Sequence, residues 1–137
     1  MIDLITDRTE SDTLLKNEKG VYGYADLNRV ESAVSEISAL FPILDIGLDL
    51  KIKTDWGLPG VFSVAAWPVA SQMQRYLGNI SAIKSAFGLG TTIPLSMANL
   101  TWTGANNIEK VLQIAMKRAS GTIESFRYSG EIYSGEE

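Results

Sequence analysis

The 137 residues of this chain include no His and no Cys, and that absence limits the chemistry open to it. Ser-His-Asp and Cys-His nucleophile pairs, imidazole bases, His/Cys zinc sites and disulfides are excluded together. Carboxylates are the remaining acid/base groups of note, and a glycosidase needs two of them about 5–9.5 Å apart across a cleft. Glu31 and Glu36 belong to one helical pattern but point in different directions. Asp45, Asp49 and Asp55 flank a predicted hairpin, where acids beside turns and on strand faces are normally solvated. A calcium loop needs closely alternating oxygen ligands, and Asp45-Ile46-Gly47-Leu48-Asp49 separates its acids with apolar residues. Gly88-Leu89-Gly90 follows a helical pattern rather than a strand and is not succeeded by Lys-Ser/Thr, so it does not read as a phosphate cradle. The expectation is a protein that is not an enzyme, with no catalytic, metal-binding or cofactor-binding residue.

Aromatic side chains are the other groups that could recognise something. Trp56, Trp67 and Trp102 lie beside predicted helix entrances, with Tyr22, Tyr24 and Tyr76 elsewhere. Rings at such places either plug the gap where loops cross a core or form a platform for a sugar ring or a protein partner. Trp56, Tyr22 and Tyr24, together with Tyr128 and Tyr133 of the C-terminal tail, are the candidate partner or glycan contacts.

The elements that must position these residues are mainly helical. Thr9-Glu10-Ser11-Asp12 has the spacing of an N-cap with an acid at N3, which predicts a short helix over 10–17 before Gly20. Leu27, Val30, Val34, Ile37 and Leu40/Phe41 recur at three and four, predicting the first long helix from Asp26 until Pro42 stops it. Leu48-Asp49-Leu50-Lys51-Ile52-Lys53 alternates strictly, the signature of a half-buried strand, with Val61–Val64 as its hairpin partner across the Gly57-Leu58-Pro59-Gly60 turn. Trp67-Pro68 opens a second long helix with the stripe Met73, Tyr76, Leu77, Ile80, Ile83 and Phe87, closed by Gly88 and Gly90. Thr101 caps a third, with Ile108, Val111, Leu112, Ala115, Ala119 and Ile123.

The predicted fold is therefore mainly α: three amphipathic helices in a small bundle, a short β-hairpin between the first two, and an extended C-terminal tail. Residues 1–127 form one helical domain with the hairpin insert near 47–65. Residues 128–137, which repeat Tyr-Ser-Gly-Glu at Tyr128–Glu131 and Tyr133–Glu136, form a tail that is flexible or docked on a partner.

Two of the helices share an internal motif with the first. Leu27–Ile37 aligns with Met73–Ile83, matching Arg29 with Arg75, and Ala105–Glu109 shares Asn28/Asn106 and Glu31/Glu109. Asn28, Arg29, Glu31, Arg75, Asn79, Asn106 and Glu109 are thus candidates for setting helix geometry or assembly contacts, although the offsets of 46 and 78 residues from the first copy are uneven for a repeat protein.

With 12 Lys+Arg against 16 Asp+Glu and no basic run richer than Lys51-Ile52-Lys53, nucleic acid is not an expected partner. The start Met1–Arg8 mixes acids among apolar residues unlike a secretory signal, and Val61–Ala70 is broken by Ser63 and Pro68, so membrane insertion is not expected.

Taken in order, Ile5–Thr9, Ala25–Glu31, Lys53–Trp56, Met73–Ile80, Leu100–Trp102 running into Ala105–Lys110, and Arg127–Glu136 resemble small tail-associated structural proteins of bacteriophages and prophages of Gram-positive bacteria, of the tail-fibre, baseplate or minor structural type. The resemblance implies a non-enzymatic virion part, made in the host cytoplasm without a signal peptide. It would act by oligomeric assembly at the tail tip, baseplate or fibre, with other tail proteins and with itself as partners. The alternative is a receptor-binding module that recognises a host cell-surface glycan through exposed aromatics.

Overall fold

The computed structural model describes residues 3–15, 23–54, 56, 70–98 and 100–136, the side chains of Tyr24, Ala70 and 126–136 excepted. Four helices make up its regular structure: α1 (Glu10–Leu15), α2 (Tyr24–Ser38), α3 (Ala70–Ala86) and α4 (Trp102–Glu136). Local chemistry accounts for their ends. Thr9 and Asp12 cap α1 reciprocally, the Asp12 amide donating to Thr9 Oγ1 at 3.2 Å and the Thr9 amide to Asp12 Oδ2 at 3.0 Å. Asp26 accepts the Gly23 amide at 2.8 Å at the start of α2, and Thr101 Oγ1 accepts the Gly104 amide at 3.0 Å at the start of α4. Past α3, Gly88 takes the left-handed conformation (φ +63°) while its amide bonds Ser85 O and the Leu89 amide bonds Lys84 O, which satisfies the last carbonyls and turns Leu89 into the core.

The three long helices begin at one end of the bundle. Arg29 in the second turn of α2 reaches Glu109 in the third turn of α4. Arg75 in the second turn of α3 reaches Glu31 in the third turn of α2. At the far end, Arg118 donates to Phe87 O just past α3 at 2.7 Å, so α3 runs parallel to α4. Their apolar faces converge on one core that includes Val30, Val34, Ile37, Tyr76, Ile80, Ile83, Ile108, Val111, Leu112 and Ala115. Between helices that start at the same end, the described straps 46–54 and 89–98 run without regular structure.

This topology overturns two expectations. The predicted hairpin near 47–65 is absent from the described residues, where no strand forms; the arm 61–64 lies outside them. Residues 49–52 do alternate, with Leu50 and Ile52 partly buried and Asp49 and Lys51 exposed, because an extended strap on a core surface has a period of two; the alternation breaks at Leu48, which is exposed, and at Lys53, which is partly buried. Its backbone partners are side chains of the helices rather than a second strand. The tail is likewise not extended: α4 continues through Glu136, since no proline follows Pro94 to stop it. None of the helices, among the described residues, is long and apolar enough to cross a membrane.

Candidate functional site

The recurring Asn, Arg and Glu residues assemble into two buried clamps of the same design. In the first, the extended N-terminal segment lies on α4. The Ile5 amide donates to Glu109 Oε1 at 3.0 Å and the Arg8 amide to Asn106 Oδ1 at 3.0 Å, while Asn106 Nδ2 returns a bond to Arg8 O at 2.9 Å. Arg29 of α2 closes this clamp on Glu109, with Nε to Oε1 at 2.6 Å and an Nη2 bond to Oε2 at 2.9 Å. In the second, the Lys53 amide donates to Glu31 Oε1 at 3.1 Å and the Trp56 amide to Asn28 Oδ1 at 2.8 Å, with Asn28 Nδ2 donating to Trp56 O at 2.9 Å. Arg75 of α3 closes it on Glu31 at 2.7 Å.

The correspondence holds position by position. Asn occupies the fifth helical residue and Glu the eighth in both receiving helices, and the closing Arg is the sixth residue of another helix, α2 in the first clamp and α3 in the second. A side-chain amide can accept one backbone N–H and donate to one backbone C=O, so Asn at this place holds a passing chain as another strand would. Glu, one turn on and on the same face, accepts the amide three residues earlier in the strap and keeps an oxygen for a guanidinium. Only α2 takes part in both clamps, so it alone carries Asn, Arg and Glu together. In α3 the fifth and eighth residues are Gln74 and Leu77, and in α4 the sixth is Asn107. This division of labour explains the uneven offsets: the Arg is shared with α3, and the Asn and Glu with α4.

Charge is balanced within each clamp. Arg8 and Arg29 face Asp26 and Glu109, with Arg8 to Glu109 at 2.5 Å, Arg8 to Asp26 at 3.3 Å and Arg29 to Asp26 at 2.5 Å. Arg75 faces Glu31. Burial disfavours the charge on the Arg29 guanidinium, but hydrogen bonds and Coulombic attraction from Glu109 and Asp26 outweigh it and raise the pKa above its ordinary value. Among the described residues every buried side-chain N or O has a hydrogen-bond partner. Asn79 extends the second clamp, its Nδ2 donating to Lys51 O at 2.7 Å.

Trp56 is not the exposed platform the glycan reading needs. It is 1% exposed, its indole N–H donates to Glu31 Oε2, and the Lys53 ammonium sits 5.4 Å from its ring centroid. The strap must end in a side chain that both fills the gap beside α2 and offers a donor to Glu31, and Trp does both. Tyr22 lies outside the described residues; Tyr24 opens α2, and Tyr128 and Tyr133 fall on α4. Arg8 and Asp26 were not singled out by sequence reasoning. The available signal was the Thr-Asp pair at 6–7 and again at 54–55, which precedes Arg8 and Trp56 in equivalent places.

Chemically the clamps are closed: their carboxylates and guanidinium groups face each other and the backbone. A shallow groove lined by Ile93, Pro94, Leu95, Thr101, Thr103 and Asn107, among others, carries no charged side chain. Among the described residues no group of three or more His, Cys, Asp or Glu is placed to hold a metal ion. Comparison with protein-family models, curated proteins and solved structures found no match to this chain.

Proposed function

We propose that this protein is a non-enzymatic structural or adaptor subunit of a phage tail or phage-like particle, acting through contacts with other tail proteins and with itself. The observation that carries the reading is where the motif residues go. Of the segments that bear the resemblance to tail-associated proteins, Ile5–Thr9, Ala25–Glu31, Lys53–Trp56, Met73–Ile80 and Ala105–Lys110 supply the residues of the two clamps. Their polar groups bind one another and the backbone, as suits a rigid scaffold that presents its outer surface to neighbours. The glycan-binding alternative loses Trp56, whose faces are covered.

The test is to purify particles induced from a host that carries the gene. Peptides of this chain are expected to co-sediment with intact particles, and a tag on its N-terminus is expected to label the tail. Particles lacking the chain in both proteomic and imaging data would overturn the assignment.

A further inference from the structure

The two clamps differ in how their straps are tied to the bundle. The second strap lies on α2, the helix before it in the chain, and is closed by Arg75 of α3, the helix after it. It is also anchored outside the clamp, because Ile46, Leu50, Ile52 and Trp56 reach the apolar core and Asn79 holds Lys51 O. The first strap, residues 3–9, is closed by Arg29 of α2, again the helix after it, yet it lies on α4, with partners 98 and 104 residues away in sequence. Among its described residues only Leu4 packs against the core. Its main hold is the clamp itself, through the Ile5 and Arg8 amides, the Arg8 carbonyl, and the Arg8 guanidinium on Asp26 and Glu109. After Thr9 comes α1, none of whose residues is buried, and its Leu14 and Leu15 are each 75% exposed.

We infer that the first clamp is an exchange site between two copies of this chain: the strap of each copy occupies the α4 clamp of the other, while Arg29 stays in its own bundle. In the second clamp the receiving helix precedes its strap, and the α4 of another copy takes that place for the first strap as well as its own α4 does. The bonds run from Ile5 and Arg8 to Asp26, Asn106 and Glu109, so the same set forms whichever copy supplies the strap. Exchange of an identical element closes a two-fold dimer at little cost, because contacts are replaced like for like. In the second clamp it would also draw Leu50, Ile52 and Trp56 out of the core, whereas in the first it moves only Leu4. What the dimer adds is cover for α1. The two α1 segments cross between the bundles, where Leu14 and Leu15 of each copy meet those of the other and leave water. Within one chain the tether sets the effective concentration of the strap, so exchange gains as the concentration of chains rises.

This inference rests on the self-association part of the proposed function, and its test separates the two. Light scattering on the full chain across a dilution series is expected to show a dimer whose share rises with concentration. Leu14→Asp is expected to weaken that dimer without changing the melting of the monomer, since the side chain is exposed there. Complementation then identifies what is exchanged. An isotope-labelled Asn106→Ala chain lacks both side-chain bonds to the Arg8 backbone, so its Arg8 amide loses hydrogen-exchange protection. Mixed at high concentration with an unlabelled Arg8→Ala chain, whose Asn106 is intact, its strap enters the other clamp. The labelled Arg8 amide is then expected to exchange at least about tenfold more slowly than in the Asn106→Ala chain alone, a factor that corresponds to about 1.4 kcal/mol. An excess of unlabelled wild-type chain is expected to give the same recovery, so the result does not depend on how well the Arg8→Ala chain folds. A monomer at every concentration, a trimer, a dimer indifferent to Leu14→Asp, or an Arg8 amide that recovers in neither mixture would overturn the inference. A monomer that is still found in particles would leave the proposed function standing, and exchange in a protein absent from particles would leave the inference standing.

Discussion

Glu109 is the residue on which most of the first clamp depends. It is 0% exposed and holds a backbone amide and two guanidinium groups. Breaking a buried pair by removing one partner costs about 3–5 kcal/mol, because the remaining charge is stranded. Glu109→Gln is therefore expected to lower the unfolding free energy by about that amount, read from the urea midpoint. Glu31→Gln is expected to cost less, since its partner Arg75 is 21% exposed and can turn to water, whereas Arg8 at 2% cannot. Asn28→Asp tests the strap mechanism separately. It removes the donor to Trp56 O and brings a second carboxylate near Glu31, so the Lys53 and Trp56 amides are expected to lose hydrogen-exchange protection while Ile5 and Arg8 keep theirs. The raised pKa of Arg29 carries a sign as well. Its stabilisation is complete below the unfolded-state value and fades only as pH rises through the still higher folded value, so on its account stability is level from neutral to moderately alkaline pH.

At the scale of elements, two turns adopt left-handed backbone with different residues. Gly88 (φ +63°) ends α3 with both capping bonds in place, and Gly88→Ala is expected to cost about 1–2 kcal/mol. Asp45 (φ +56°) closes a similar turn after α2, where the Ile46 amide bonds Phe41 O at 2.9 Å. Asp45→Gly is expected to raise stability by up to about 1 kcal/mol, since glycine enters that region without a steric penalty. Opposite signs in the two melting curves are the check. The helices themselves were legible: caps at Thr9 and Thr101 and the three apolar stripes depend on neighbours three or four residues away. The strap 46–54 was not, because period-two burial is common to a strand and to any extended chain lying on a core.

The whole molecule is a bundle whose helices share a starting end, joined by straps and followed by a helical projection. All the buried residues of α4 lie at or before Ala119 among the described residues. Asn28 and Asn106 hold different straps, Trp56 and Arg8, so losses from Asn28→Ala and Asn106→Ala are expected to add within about 0.5 kcal/mol in a double-mutant cycle.

Periodicity, caps and composition by themselves determined that this chain is mainly helical, where the apolar stripes of its three long helices lie, and that it has no His or Cys chemistry, because each rests on residue identity or on short-range spacing; the continuation of α4 through 128–136 was not among them. The motif residues were also legible as a set: Asn28, Arg29, Glu31, Arg75, Asn106 and Glu109 were all marked by their recurrence. Which helix each Arg closes upon, which backbone each Asn holds, and that Trp56 is covered were decided only by the tertiary structure. Those contacts join residues as far apart as Ile5 and Glu109, and no local pattern specifies which distant chain will complete a buried carboxylate.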